Sequence, residues 1–490
     1  MFLTRLDEEY TKSLQRTSPH TPEYVARLRD EPRLVDLLGK VQGYHKRVGM
    51  MAEAGELAQL RVEHVYYRHD TIAEQVDRAA AFYGKYGEAS LIHPASIGSE
   101  EGEGKTDYSV THPAAASGRP TVEKAMEESP ADIVVDSEKQ MQDLCSFVYA
   151  HGSDRSRTRA MLCHIYHHAL HDRFLQARDL LLMSHLQDTI ANAGDVSTMI
   201  LFNRMMVALG LSAFRLGRVW DTHQCLSDVC SGRVRELLAQ GVSAGRFNDK
   251  SAEQEKAEKR RQVPYHQHVN LDLLEACHLI SAMLLEVPNM AQQGADGAAE
   301  GSGRRVRVVS RQFRKHHDIY DRQVFTGPPE QTRDFVMTAA KALAKGDWKR
   351  CADLLTGLDA WNLVPGEGSA DAIRSMLVEK IKGEGLRTYL FAYSGQYDSL
   401  SLSQLCGMFD MTKNEVHSVV SKMMINKEIH ASWDQPTETV VLRNVDPSAL
   451  QNLALQFAEK AAGLVEANER LLDAKSGSYG FRDGEYWRGG

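Results

Sequence analysis

Apolar residues recur at helical spacing along most of the chain from about Val135, interrupted by short polar turns. Three stretches share one junction, in which a polar turn precedes an aromatic or Val-Trp anchor and an apolar helix: HDRFLQARDLL from residue 171, LGRVWDTHQCL from 216 and KGDWKRCADLL from 345. The intervals are 45 residues and 129 residues, the latter being three times 43. Such a period is typical of stacked helix-turn-helix repeats of the tetratricopeptide or HEAT type. The pattern therefore predicts a helical solenoid.

A different pattern occupies residues 399–444. A short apolar helix begins the segment, a turn follows at Asp410, and Thr412 with Glu415 forms a capping box that opens a second helix. The stretches EIHASW and TETVVL then have strand character and are joined by the turn DQPT. Helix, turn, helix and β-hairpin in this order predict a winged helix.

The last predicted helix runs from about Pro447 to Ala474. Its apolar seam steps by 4, 3, 4, 3, 4 and 3 residues, which is a heptad repeat, and it consists of Leu450, Ala454, Phe457, Ala461, Leu464, Asn468 and Leu471. A single polar residue in such a seam fixes register at some cost in stability. The seam implies partner helices, so the candidate residues for an interface with other subunits are Leu450, Phe457, Leu464, Asn468 and Leu471.

These patterns predict a mainly α-helical protein. One internal segment differs, because it is rich in Gly, Ser, Glu, Ala and Pro and poor in large apolar residues, which is typical of a disordered insertion. The predicted order is an N-terminal helical segment at 1–86, the low-complexity insertion at 87–132, helical repeats at 133–398, the winged helix at 399–444, the heptad helix at 445–474 and a flexible tail at 475–490.

Composition narrows the class of protein. A formal net charge of -8 argues against a protein that coats nucleic acid, although local basic patches are compatible with it. The N-terminus is charged before any apolar stretch of signal-peptide length, and no segment has eighteen uninterrupted apolar residues. The seven cysteines form no C-x-x-C pair. We therefore expect a cytoplasmic protein in a reducing compartment that does not contact a membrane.

The stretch CHIYHHALH contains four histidines on one predicted helix face, namely His164, His167, His168 and His171. This face could hold zinc, or its rings could be packed against neighbouring turns. The H-E-x-x-H arrangement of zinc hydrolases is missing, because the residue after His164 is Ile165. The phosphate-binding pattern G-x-x-x-x-G-K-[ST] is also missing.

A basic stretch, RRVRVVSRQFRKHH, occupies residues 304–317 and follows a Gly-rich connector. Its cations could neutralise several phosphates and give salt-sensitive, sequence-independent binding. The alternative is a solvated helix face paired with acidic neighbours, and the sequence favours neither. The candidate RNA contacts are Arg304, Arg305, Arg307, Arg311, Arg314 and Lys315.

The second helix of the predicted winged helix has few side chains that could recognise bases. A DNA-reading helix presents Arg, Asn or Gln to base edges, and these are nearly absent from its outer face. We instead expect TETVVL or EIHASW to pair with another subunit's winged helix through main-chain hydrogen bonds. The candidate residues for this interface are Thr439, Val440 and Val441.

A helical solenoid that runs directly into a winged helix is the arrangement of PCI domains, which occur in the proteasome lid, the COP9 signalosome and translation initiation factor three. Long stretches narrow the resemblance, among them LCHIYHHALHDRFLQARDLLLMSHLQD, LRTYLFAYSGQYDSLS and VHSVVSKMMINKEIHASWDQPTETVVL. Together they closely resemble the family of the c subunit of eukaryotic translation initiation factor three. Members of that family usually carry a long acidic region ahead of this core, and its functions are not assigned to these residues.

The resemblance implies a non-catalytic scaffold that binds the small ribosomal subunit, through ribosomal RNA and protein, and other subunits of the factor. A second PCI subunit is the expected partner of the winged helix, and mRNA and other initiation factors are further candidates. The resemblance also implies that the histidine-rich stretch is a repeat helix without metal, so we predict no catalytic, cofactor-binding or metal residue. The alternatives are a PCI subunit of the proteasome lid or signalosome, a winged-helix DNA-binding regulator and a zinc hydrolase.

Overall fold

The computed structural model describes residues 2–28, 30–70, 137–187, 190, 195–230, 232–241, 252–297, 308–323, 327–364, 368–443 and 449–476. The chain forms two compact units, of which the first comprises residues 1–281 and 358–376 and the second residues 282–357 and 377–490. The predicted low-complexity insertion lies outside the described residues. The predicted border between residues 398 and 399 falls inside the second unit.

The first unit is a stack of helices, most of which pack on their neighbours in the chain. Its elements are α1 (Phe2–Arg16), α2 (Pro22–Leu28), α3 (Glu31–Val48), α4 (Met51–Val65), α5 (Ser137–His151), α6 (Asp154–Leu170), α7 (Phe174–Met183), α8 (Val196–Arg215), α9 (Val219–Cys230), α10 (Val234–Leu237), α11 (Ala252–Arg261), the start of α12 (Leu271–Gly297), a 3-10 helix (Asp359–Leu363) and the start of α16 (Ser369–Tyr393). Local stacking of this kind is the solenoid that the sequence predicted.

The three repeated junctions are turns of one kind. Asp172, Gly217 and Gly346 have left-handed φ angles of 60°, 70° and 85°. At each turn the next amide donates to a carbonyl five residues back, in the last turn of the preceding helix: Arg173 to His168 at 3.0 Å, Arg218 to Ala213 at 2.9 Å and Asp347 to Ala342 at 3.0 Å. This is the Schellman arrangement, which satisfies carbonyls that the helix end leaves unpaired. The predicted repeat therefore rests on one recurrent helix stop.

Helix α8 is the one described helix that is long and apolar enough to cross a membrane by length and composition. More than half of its apolar window, 56%, is buried inside the fold. Arg204 lies in that window, is only 1% exposed, and donates to the carbonyl of Gln267 at 2.6 Å. Burial against neighbouring helices accounts for the apolar composition of α8, as it does for the central helix of a repeat array.

A buried polar cluster joins α1, α3 and the end of α4. His64 lies 2.8 Å from Asp7 through Nε2 and 2.8 Å from Glu31 through Nδ1. Arg68 and the hydroxyl of Tyr67 also reach Glu31, each at 2.7 Å. Burial lowers the pKa of His64, but hydrogen bonds to the two carboxylates outweigh it and raise that pKa to about 9. Burial raises the pKa of Glu31, but His64 and Arg68 outweigh it and lower that pKa to about 2.

The second unit contains a helical part followed by a small α/β part. Its elements are the end of α12, α13 (Arg311–Asp321), α14 (Thr332–Ala344), α15 (Trp348–Thr356), the end of α16, β1 (Ser399–Ser401), α17 (Leu402–Phe409), α18 (Lys413–Ile425), β2 (Ala431–Asp434), β3 (Thr439–Leu442) and α19 (Ala449–Ser476). The three strands are antiparallel in the order β1-β3-β2. The predicted mainly α fold class, with helical repeats before a winged helix, is confirmed.

The winged helix forms where its local sequence signals predict it. The hydroxyl of Thr412 accepts from the amide of Glu415, whose carboxylate accepts from the amide of Thr412, so the predicted capping box is present. Asp410 ends α17 with a left-handed φ of 49°. The apolar faces of both helices are buried in one core, which includes Leu402, Leu405, Phe409, Val416, Val420, Met423 and Val440.

Candidate subunit and RNA interfaces

The strand order corrects the predicted edge contact. β3 pairs with β1 through Leu400 and Val440 and with β2 through Trp433 and Val440, so it is the central strand. Val440 is fully buried. Edge-strand addition through Thr439, Val440 and Val441 is therefore wrong, because the hydrogen-bonding edges of this strand are already occupied. The other predicted strand, β2, lies at an edge of the sheet and keeps one backbone edge that no described strand covers.

The outer face of α18 is partly covered by β2. The Trp433 ring stacks on the His417 ring with their centroids 4.4 Å apart, and the indole nitrogen of Trp433 donates to the Ser421 hydroxyl at 3.0 Å. At the start of α18, Lys413 pairs with Glu438 of the wing at 2.6 Å. A helix covered in this way presents little of this face to a DNA groove, which agrees with the scarcity of base-reading side chains on it.

Contacts between α16 and the winged helix fix the two to each other. Arg387 donates to Glu384 at 2.9 Å and to Glu428, in the turn after α18, at 3.0 Å. Lys382 pairs with Asp410 at 2.8 Å. Burial raises the pKa of Glu384 even though Arg387 lies beside it. The winged helix is thus held by polar bonds as well as by its core.

The basic stretch separates into residues with different roles. Arg304, Arg305 and Arg307 lie outside the described residues. Arg314 contacts Glu286 through Nε and donates to Gln293 at 2.7 Å.

Glu286 is fully buried, and its other oxygen accepts from the amides of Val309 and Ser310 at 3.0 and 3.2 Å. Arg314 is therefore a structural cation rather than a free phosphate contact, because it balances a buried carboxylate. The prediction of Arg314 as an RNA contact is corrected. Arg311 and Lys315 are exposed on α13.

Helix α19 presents its apolar seam to solvent. The seam residues Leu450, Phe457, Leu464 and Leu471 are 81%, 75%, 66% and 61% exposed. Asn468 is also exposed. Large apolar side chains aligned at heptad spacing and left uncovered mark an interaction surface.

The apolar surface of α19 is wider than the heptad seam that the sequence predicted. Leu453, Val465 and Leu472 border the seam on the helical wheel and are 66%, 57% and 66% exposed. They lie outside the strict 4-3 series, but the 100° rotation per residue places them next to it. The resulting stripe is broader than a two-stranded coiled-coil seam and fits a groove between several helices.

The histidine-rich stretch lies at the end of α6, and two of its rings are buried. His167 is 1% and His168 is 8% exposed, and the hydroxyl of Tyr149 lies 3.2 Å from Nδ1 of His164. The rings pair along the helix, with His164 and His168 centroids 4.5 Å apart and those of His167 and His171 4.3 Å apart. Burial lowers the pKa of His167 to about 3 and of His164 to about 4, so both rings are neutral.

Helical hairpins followed by a winged helix define the PCI class of proteins, and the PCI domain family matches residues 359–444. The family described as Eukaryotic translation initiation factor 3 subunit 8 N-terminus matches residues 1–296, more than half of the chain, so the chain belongs to this family. A third family, EIF3CL-like, C-terminal domain, matches residues 451–475. The family resemblance inferred from the sequence is thereby confirmed.

The curated relatives that match this chain share one name. The C subunit of eukaryotic translation initiation factor 3 from Danio rerio is 45% identical over 482 residues, which is 97% of this chain and 47% of the relative. The proteins of the same name from Xenopus tropicalis and Schizosaccharomyces pombe are 44% and 42% identical over 98% and 97% of this chain, in each case 47% of the relative. The chain thus spans about half the length of the curated relatives it matches.

Proposed function

We propose that the chain is a non-catalytic scaffold part of translation initiation factor three, acting in the cytoplasm. It holds other subunits of the factor through α19 and contacts the small ribosomal subunit. The observation that carries this proposal is the uncovered apolar stripe of α19, whose four large apolar seam residues, Leu450, Phe457, Leu464 and Leu471, are at least 61% exposed. The names of its relatives support the assignment to this factor rather than to the proteasome lid or the signalosome.

The apolar stripe of α19 is suited to binding a helical partner of matching shape. Burying one Leu or Phe side chain contributes about 1.5–3 kcal/mol. Seven large exposed side chains along the stripe would stabilise a shared bundle by several times that amount, less the cost of ordering the partners. The partner is therefore another helix-rich subunit with an apolar groove.

The other surfaces supply weaker contacts on the same frame. The outer backbone edge of β2 is suited to a strand of a second PCI subunit, and Arg311 and Lys315 are suited to ribosomal RNA or mRNA phosphates. Several modest contacts on one chain raise the effective concentration of its partners. The function is then to hold several partners at once rather than to catalyse a reaction.

The proposal is tested by sedimenting tagged chain from crosslinked cells through a sucrose gradient and identifying the proteins that it carries by mass spectrometry. We expect migration with small ribosomal subunits and with other subunits of initiation factor three. Migration with proteasome or signalosome subunits, or migration as a free protein, would overturn the proposal while leaving the fold unaffected.

A further inference from the structure

Three side chains with metal-binding atoms lie close together in the first unit. Asp70 follows the end of α4, and His167 and His171 lie one turn apart at the end of α6. One ligand atom from each of the three lies within 4.8 Å of the others. His167 is almost fully buried, whereas the side chain of Asp70 is 40% exposed, so the cluster is open to water on one side.

The ring of His171 is held in the tautomer that a metal ligand needs. Its Nδ1 lies 2.8 Å from the carbonyl oxygen of His167, and a carbonyl only accepts, so Nδ1 carries the proton. With the proton on Nδ1, Nε2 is the ring nitrogen that can offer a lone pair to a metal ion. This atom lies 3.1 Å from Oδ1 of Asp70, yet it forms no hydrogen bond of acceptable geometry within the described residues. Two electron-pair donors at this separation need a cation or a proton between them.

Hydrogen bonding to a hydroxyl determines which ring nitrogen of His167 carries the proton. The hydroxyl of Ser137, the first residue of α5, donates to Oδ1 of Asp70. Its oxygen lies 3.1 Å from Nε2 of His167, so it can accept the proton on that nitrogen. Nδ1 of His167 is then the atom with a lone pair, and it is buried without a hydrogen-bond partner among the described residues.

We propose that Asp70, His167 and His171 bind one zinc ion. Two imidazoles and one carboxylate are ligands that zinc prefers, and the open side leaves room for water as a fourth ligand. The hydrogen bond from the Ser137 hydroxyl orients the carboxylate of Asp70. The His69 ring stacks on that of His171 with centroids 5.0 Å apart.

The proposed role of the ion is structural. It would join the ends of α4 and α6, while Ser137 links the start of α5 to the same carboxylate. This proposal departs from the expectation, implied by the family resemblance, that the histidine-rich stretch is a repeat helix without metal.

The direct test is a zinc titration of chelator-stripped chain in competition with a fluorescent chelator, alongside cobalt absorbance as a measure of tetrahedral coordination. We expect one zinc ion per chain, and at least tenfold weaker binding in both Asp70→Asn and His171→Asn. Removal of an orienting partner typically costs about 10- to 100-fold in affinity, so Ser137→Ala should also weaken binding. His164→Asn, on the same helix one turn before His168, is the matched control and should bind as the native chain does.

Circular dichroism of each variant separates loss of the site from loss of the fold. Asp70→Asn is the decisive variant if a histidine replacement unfolds, because its side chain is partly exposed and its amide can still accept from Ser137. Equal zinc affinity of Asp70→Asn and the native chain would overturn the proposal. So would the absence of stoichiometric zinc binding by the native chain, in which case a proton shared by His171 and Asp70 accounts for their approach.

Discussion

Arg387 of α16 and Glu428 of the winged helix are joined by a hydrogen-bonded ion pair of 3.0 Å, and the same guanidinium holds Glu384 at 2.9 Å. All three side chains are less than one third exposed. A cation shared by two partly buried carboxylates contributes more to the free energy of unfolding than a surface ion pair does. Its removal leaves two negative charges with little water around them.

Replacing Arg387 by Ala should therefore loosen the winged helix. We expect a decrease of about 2 kcal/mol in its stability, between the values typical of exposed and of fully buried pairs. Hydrogen exchange of the α18 amides measures the change locally. Lys382→Ala is the matched control, since its partner Asp410 is largely exposed, and it should have a clearly smaller effect. Equal exchange in the two variants would show that the Arg387 contacts do not hold the domain.

Replacing Arg314 should lower the free energy of unfolding. Arg314→Ala leaves Glu286, which is fully buried, without its cation, and a decrease of about 3 kcal/mol in the free energy of unfolding is expected from such a removal. Urea unfolding of this variant and of Arg311→Ala provides the comparison. Arg311 is exposed, so its replacement should leave the midpoint nearly unchanged. An unchanged midpoint for Arg314→Ala would contradict the structural role.

Replacing Arg311 and Lys315 should weaken RNA binding. The double replacement Arg311→Ala with Lys315→Ala is expected to weaken binding of single-stranded RNA and to reduce the slope of log affinity against log salt by about 0.7 for each phosphate that is no longer neutralised. Filter binding at several salt concentrations measures that slope. An unchanged slope would assign these two residues to a solvated helix face, which is the alternative that the sequence left open.

The N-terminal helices should be most stable between about pH 4.5 and 6.5. The pKa of His64 is raised to about 9, so its contribution is complete below the ordinary value near 6.5 and is lost as pH rises through 9. The pKa of Glu31 is lowered to about 2, so its contribution is complete above about 4.5 and is lost as pH falls through 2. Each shift corresponds to about 3 kcal/mol, and the two share one interaction.

Hydrogen exchange of α1 and α3, corrected for intrinsic rates, measures this dependence. His64→Gln should reduce protection at pH 6 and remove the decline between pH 6.5 and 9. A native profile that stays flat over that range would contradict the protonated state assigned to His64.

Short-range signals made much of the fold predictable. The capping box of Thr412 and Glu415 needs only residues three apart, and the repeated junctions recur because each needs a residue that tolerates a left-handed turn, such as Gly217. The seam of α19 was predictable for the same reason, since helical periodicity is local.

Long-range pairings were not predictable in this way. β1 has only three residues, and its partner Val441 lies 42 positions after Ser399, so the central place of β3 could not be inferred from alternation within the strand. The contact of Arg314 with Glu286 joins residues 28 apart, and a run of cations does not indicate which of them has a buried partner. Asp70 lies close to His167 and His171 although it is 97 positions before His167, and the periodicity of one helix does not indicate such a distant neighbour.

We propose that the apolar stripe of α19 holds this chain in its complex. Phe457→Asp with Leu464→Asp places two charges in the seam, whereas Leu455→Asp with Ala462→Asp places two charges with the same seven-residue spacing on the opposite face of the helix. The measurement is the amount of initiation factor three subunits recovered with each tagged variant. We expect at least a tenfold decrease for the seam variant and native recovery for the control. Equal recovery from the two variants would contradict it.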